Sequence, residues 1–211
     1  IKTFIERDIP QLGFQIPALQ LKRLLMMCAH NQGQLLNYSK LGDALNLTHP
    51  TIKRYIDLLE QTFIVRTVLP FEVNIKKRLV KSPKVYIRDS GLLHQLLAIT
   101  DYNSLLGNPI IGSSWEGLVI ENVIVNMPDW NYYFYRTASG DELDLILEKG
   151  NQRIAIECKA SMTPKLTKGF WRALEVVQPQ KSFVITPITG SYNLNKEVVV
   201  CGLEDFLNIK F

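Results

Sequence analysis

Asp144, Glu157 and Lys159 are the residues whose types and spacing could do chemistry: two carboxylates and an ammonium on what read as neighbouring strands. Hard divalent cations take oxygen ligands, keep several waters, and often use only one or two protein carboxylates. A lysine beside such an ion can orient a water or offset charge on a phosphorane-like transition state. The pattern points to hydrolysis assisted by Mg²⁺ or Mn²⁺, with Glu116 as a further carboxylate on a preceding helix. The same residues also suit an ordinary surface hairpin with a Glu–Lys pair. For Glu116, a place in the first turn of a helix is explained by the helix dipole alone.

The elements that must position these groups follow from periodicity. Alternation predicts a strand over Glu142 to Leu147, with Leu143, Leu145 and Leu147 on one face and Glu142 and Asp144 on the other. Glu148-Lys149-Gly150-Asn151 supplies turn chemistry. The second strand, Gln152 to Lys159, turns Ile154, Ile156 and Cys158 inward and Glu157 and Lys159 the other way. Upstream, Ser113 or Ser114 can cap a helix from Trp115 to Asn126, which puts Glu116 in its first turn, and Trp130 to Arg136 reads as an aromatic strand. Downstream come a helix (Leu166 to Val177), strands at Ser182 to Thr186 and Glu197 to Cys201, and a closing helix (Leu203 to Ile209). The expected order is αβββαββα.

The first hundred residues have a different character. Ile1 to Pro17 reads as the tail of a helix and a connector, and Leu19 to Ala29 as a first helix. Ser39 can cap a short helix, Asn46 serves a turn, and Thr48 caps a second helix with Pro50 in its first turn, where a missing N–H costs nothing. This is helix-turn-helix spacing. Ile52, Tyr55 or Ile56, and Leu59 would face the core, leaving Thr51, Lys53 and Arg54 where a recognition helix touches DNA. Strands at Phe63 to Leu69 and Lys84 to Ile87 would form a wing. Lys76, Lys77, Arg78 and Lys81 between them, with Lys84 and Arg88, would make a phosphate-facing ridge. Docking on another part of the same protein is the alternative use of such a unit. The expected divisions are 1–18 (a remnant of an upstream module and connector), 19–100 (winged helix-turn-helix) and 101–211 (the carboxylate-bearing domain).

Composition bounds these readings. The 211 residues are 46% hydrophobic and 21% charged, as in a soluble globular chain. Every apolar run stops short of the roughly 18 residues a membrane span needs. No secretory signal is visible, and Ile1 suggests a fragment or processed product. Cys28, Cys158 and Cys201 are odd in number and far apart, so reduced thiols in a cytoplasmic protein are expected, and no zinc site. Residues 1–100 carry 14 Lys/Arg against 7 Asp/Glu, and residues 101–211 carry 10 against 13. A basic half beside an acidic one suits a polyanion-docking module joined to a metal-dependent one.

In their order and spacing, GSSWE at Gly112 to Glu116, ELD ending at Asp144 and IECK ending at Lys159 resemble the PD-(D/E)xK nuclease-like superfamily, whose core is a mixed sheet flanked by helices. The resemblance extends through FIERDI (Phe4 to Ile9), KSPKVYIRDSGLL (Lys81 to Leu93), FYR (Phe134 to Arg136) and IECKAS (Ile156 to Ser161). Over nearly its whole length the chain is similar to a C-terminal region of unknown function in predicted bacterial and archaeal AAA+ superfamily ATPases. That resemblance implies an α+β or α/β fold: a winged helix-turn-helix, then a restriction-endonuclease-like mixed sheet. It implies Asp144 and Glu157 as metal ligands, Lys159 as the water-orienting or charge-stabilising group, and Glu116 as an accessory acid or second-metal ligand. It implies an upstream ATPase module as partner. ATP would act only through that module, since this chain has no G-x-x-x-x-G-K-[ST]. The leading expectation is therefore a DNA-directed, Mg²⁺- or Mn²⁺-dependent nuclease-like module. The alternatives are a non-catalytic interaction module and a ligand-sensing transcriptional regulator.

Overall fold

The computed structural model describes residues 1–72 and 80–211. Lys76, Lys77 and Arg78 of the expected ridge lie outside the described residues.

A π-helical turn, Phe4–Asp8, runs into α1 (Ile9–Gln11), whose Pro10 sits in the first turn where its missing N–H is harmless. Helix α2 (Ala18–His30) buries Leu21, Leu24, Leu25 and Cys28, and a short strand β1 (Gln34–Leu35) follows. Helices α3 (Tyr38–Leu45) and α4 (His49–Gln61) are joined through Asn46 in the left-handed conformation (φ 53°). Thr48 caps α4 as expected, its side chain accepting from Thr51 N–H. The cap of α3 is Asn37, which accepts from Lys40 N–H, and the expected cap, Ser39, lies inside the helix. Ile52, Tyr55, Ile56 and Leu59 all face inward.

Strands β2 (Val65–Pro70) and β3 (Lys84–Ile87) pair antiparallel, and β1 adds to the other edge of β3. They do not stand apart as a hairpin, because β2 also pairs in parallel with β4 of the second half, Leu69 opposite Tyr133 and Pro70 opposite Phe134. Helix α5 (Ser90–Leu96) is capped by Asp89 and α6 (Tyr102–Leu106) by Asp101. Helix α7 (Ile111–Asn126) begins four residues before Trp115, its expected start. Ser113 and Ser114 lie within α7, and Glu116 is in its second turn, where the dipole of the helix end no longer accounts for a carboxylate.

Next come β4 (Asn131–Arg136), β5 (Glu142–Lys149), β6 (Gln152–Cys158), α8 (Lys168–Val177), β7 (Lys181–Ile185), β8 (Ser191–Asn193), β9 (Val198–Cys201) and α9 (Leu203–Leu207). The order from α7 is αβββαβββα, with β8 the strand that periodicity did not reveal. Among the described residues all nine strands form one mixed sheet in the order β1-β3-β2-β4-β5-β6-β7-β9-β8. One apolar core lies among the N-terminal helices. A second fills the space between the sheet and α7 with α9, and a third lies under α8 on the opposite face. The chain is thus an α+β structure on one large mixed sheet. No helix among the described residues is long and apolar enough to cross a membrane.

A bulge corrects the expected facing of β5. Tyr133 opposes Ile146 but Tyr135 opposes Leu143, so Asp144 and Leu145 together face Phe134. Leu143 therefore joins the core under α8, while Leu145 and Leu147 join the core under α7. The three leucines do not share a face, and Asp144 is aimed at the α7 side.

Candidate active site

Four carboxylates and two lysines from α7, β3, β5 and the end of β6 converge at one place. The antiparallel register that pairs Leu145 with Ile156 brings Asp144 alongside Glu157 one step further on. Asp144 Oδ2 accepts the Cys158 N–H at 2.9 Å, which fixes the carboxylate against β6. Lys159 Nζ donates to Glu157 Oε1 at 2.7 Å, and its own N–H is held by Ile185 O at 3.0 Å. Trp115 Nε1 donates to the same carbonyl at 3.1 Å, tying α7 to the strand beside Lys159.

The group that joins Glu116 to Asp144 is Lys84, from β3. Its Nζ lies 2.9 Å from Glu116 Oε1, 2.8 Å from Glu142 Oε1 and 3.5 Å from Asp144 Oδ1, with 2% of its side chain exposed. Tyr86, two residues on, donates its hydroxyl to Glu116 Oε1. Helix α7 can approach β3 this closely because residue 117 is glycine: a Cβ there would collide with the Gln32 amide, whose oxygen accepts the Ile87 N–H.

Two residues expected on a phosphate-facing ridge are therefore elsewhere. Lys84 is buried among carboxylates, and Arg88 donates from Nε to Glu121 Oε1 at 2.7 Å. Both belong to strand-to-helix ion pairs, because the alternate residues Val85 and Ile87 face the N-terminal core and turn Lys84, Tyr86 and Arg88 toward α7. On α4, Lys53 and Arg54 are exposed and Thr51 is half-buried, its hydroxyl 2.9 Å from that of Thr48. Lys81 is exposed.

The site brings four carboxyl groups against two lysines, with Arg136 Nε 3.7 Å from Glu142 Oε2. Burial raises the Glu116 and Glu157 carboxyls, and the charge of Asp144 raises both further. Lys84 and Lys159 pull in the other direction without restoring ordinary acidity. Burial works against the charge on Lys84, but Glu116, Asp144 and Glu142 hold its ammonium well above the usual lysine range.

The residues fit a hard divalent cation in kind. Their donors are carboxylate oxygens, and Glu157 Oε2 is buried with no hydrogen-bond partner, an arrangement that leaves an acceptor free for a cation. In spacing they are set for an ammonium: the oxygens around Lys84 stand at 2.8–3.5 Å, beyond the ~2.0–2.6 Å of Mg²⁺ or Ca²⁺ contacts. Among the described residues no three His, Cys, Asp or Glu side chains are arranged to hold a metal as they stand.

Sequence reasoning missed Lys84, Tyr86 and the part played by Glu142. The signal was present in KVYIR: two β-branched residues on one strand face leave Lys84, Tyr86 and Arg88 on the other, which is a polar face only if that side of the strand is solvated.

Each half of the chain matches a family model. Residues 1–103 match the domain of unknown function DUF8612, and residues 111–206 match the domain of unknown function DUF4143. An uncharacterized protein of Mycobacterium tuberculosis is 38% identical over 207 residues, covering 98% of this chain and 47% of that protein, and one from Mycobacterium bovis gives the same figures. An uncharacterized protein of Haemophilus influenzae is 34% identical over 77 residues, 34% of this chain and 19% of that one. The chain spans about half the length of the mycobacterial relatives, 47% of each. Among solved structures, a protein from Vibrio cholerae is similar with a TM-score of 0.31 and 12% identity, covering 92% of this chain and 55% of that one.

Proposed function

We propose that this chain is the C-terminal part of an AAA+-type ATPase, in which α3, α4 and the β2–β3 pair act as a winged helix on duplex DNA. In the same reading the second half acts as a PD-(D/E)xK nuclease-like domain that hydrolyses phosphodiesters. The observation that carries it is the buried, unpartnered Glu157 Oε2 beside Asp144, with Lys159 ion-paired to the other oxygen of the same carboxylate. Asp144 and Glu157 would hold Mg²⁺ or Mn²⁺, with waters completing the shell. When bound, such an ion lowers the pKa of a coordinated water and draws charge from a phosphoryl oxygen.

The remaining work falls to the chain's own groups. Lys159 keeps 30% of its side chain exposed while Glu157 fixes its Nζ, so it can orient the attacking water or meet charge developing on the phosphate. Glu116 has one oxygen engaged by Lys84 and Tyr86, and its second is the one that could serve as accessory acid or as ligand to a second ion. Lys53 and Arg54, exposed on α4, and Lys81 are the described groups that would meet phosphates, with Thr51 beside them. The test is Mn²⁺ titration and cleavage of plasmid and branched DNA by the wild type and Lys159→Ala. Metal binding in both with cleavage only in the wild type supports the reading, and binding without cleavage by either refutes it.

A second reading has its own observation. Lys84 already pairs with three carboxylates, as it would in a non-catalytic module whose nuclease fold binds a protein partner. DNA binding that weakens steeply with salt favours the first reading, and absent or salt-insensitive binding favours the second.

A further inference from the structure

The carboxylate site contains a cation of its own, and that cation is supplied by the other half of the chain. An ammonium has three donors and no acceptor. Lys84 Nζ donates to Glu116 Oε1 at 2.9 Å and is ion-paired with Glu142 Oε1 at 2.8 Å and Asp144 Oδ1 at 3.5 Å. Both oxygens of Asp144 are thereby engaged, Oδ1 by Lys84 and Oδ2 by the Cys158 N–H. Asp144 is also the ligand on which the proposed metal centre depends. A divalent ion that takes Asp144 would sit within a few ångströms of a buried ammonium, and two cations in a poorly screened site repel strongly. Lys84 must then move away, or the ion cannot enter.

Resting on the metal-dependent reading above, we infer that Lys84 is an internal cation that competes with the divalent ion for Asp144. The site loads when Lys84 withdraws. The strand that holds it is anchored on its opposite face, since Val85 and Ile87 pack in the N-terminal core with residues of α2 and α4. Seating of the helical half against α7 therefore keeps Lys84 in the site, and any partner that shifts that half acts on metal loading. Withdrawal of Lys84 frees Asp144 Oδ1 and Glu142 Oε1, while Tyr86 keeps its bond to Glu116 Oε1 and Arg136 its ion pair with Glu142 Oε2 at 3.7 Å.

The experiment compares Mn²⁺ binding by calorimetry to the wild type, Lys84→Met and Asp144→Ala at low ionic strength, with folding of each followed by thermal unfolding. Lys84→Met should bind Mn²⁺ about tenfold or more tightly than the wild type, the size that changes around metal ligands commonly produce. Equal or weaker binding by Lys84→Met overturns the competition while leaving a metal site intact, provided Asp144→Ala has lost it. No binding by either the wild type or Lys84→Met overturns the competition and the metal reading together.

Removing a buried lysine from three carboxylates can prevent folding, so a second measurement uses the wild type alone. Lys84 should resist acetylation by a water-soluble acyl ester without metal and become several-fold more reactive with saturating Mn²⁺, read by peptide mass spectrometry against exposed Lys53. Bound Mn²⁺ with unchanged Lys84 labelling overturns the inference and leaves the metal site standing.

Discussion

Helix α7 carries two glutamates that meet basic side chains from the β2–β3 pair and its flank in opposite ways. Glu121 is held by two guanidiniums: Arg66 donates from Nε at 2.6 Å and from Nη2 at 3.0 Å, and Arg88 donates from Nε at 2.7 Å. Arg66 also reaches the Tyr132 hydroxyl at 3.2 Å. Burial works against the Glu121 charge, but these bonds outweigh it and hold the carboxyl below its usual range. Five residues earlier Glu116 shares one ammonium with Glu142 and Asp144, and its carboxyl is pushed up. One cluster has more cation than carboxylate and the other more carboxylate than cation. The first behaves as a clasp between the halves of the chain. The second holds electrostatic strain that an added cation would relieve, as functional sites do at some cost in stability.

The largest expected effect tests the second cluster. Asp144→Ala should reduce Mn²⁺ binding and DNA cleavage to background, measured on the same samples, because it removes the carboxylate shared by β5, β6 and Lys84. Metal binding that survives the substitution would move the proposed centre away from Asp144.

Next in size is the clasp. Glu121→Gln leaves two guanidiniums short of their charged partner in a largely buried setting, at a cost of about 2–3 kcal/mol. For a chain of this length that corresponds to a fall in Tm of roughly 4–12 °C. A change near zero would mean that Glu121 and its arginines hold nothing together. The same residue sets a pH dependence. The folded Glu121 carboxyl lies below its unfolded value of about 4.3. Its stabilisation is therefore fully present above that value and is lost as pH falls through the folded pKa. Urea midpoints followed from pH 7 to pH 3 should fall less steeply for Glu121→Gln than for the wild type.

These two clusters were unequally legible in the sequence. Asp144, Glu157 and Lys159 stood out because a two-residue period puts Glu157 and Lys159 together, and the ion pair between them at 2.7 Å is a local contact. Thr48 and Pro50 marked the start of α4 because capping is also local. Asn37 displaced Ser39 because two residues of cap type stood two positions apart, and periodicity fixes a helix start no better than that. The bulge at Asp144–Leu145 leaves no trace in the pattern ELDLIL, since one slipped pairing depends on the partner strand. Least legible was the partnership of Lys84 with Glu116, 32 residues away, and of Arg66 with Glu121, 55 residues away. Both require β3 and β2 to lie beside α7, and β2 reaches the second half through a parallel pairing that no hairpin turn announces. A lysine on a short strand in a basic half looked like a phosphate contact until its neighbours were known.

The smallest effect has the most informative sign. Glu157→Gln keeps an acceptor for Lys159 and removes an ionisable carboxyl from the crowded cluster, where Glu157 Oε2 is buried without a partner. If that oxygen is strained for want of a cation, the substitution should stabilise the metal-free protein by about 1 kcal/mol, a rise in Tm of roughly 2–4 °C. It should also weaken Mn²⁺ binding. Glutamine substitution would then act in opposite directions at Glu121 and at Glu157, although both are largely buried and both face basic side chains. Destabilisation at both positions would mean that Lys159 needs the full charge of Glu157 to stay in place, and the carboxylate cluster would have to be read as a second clasp.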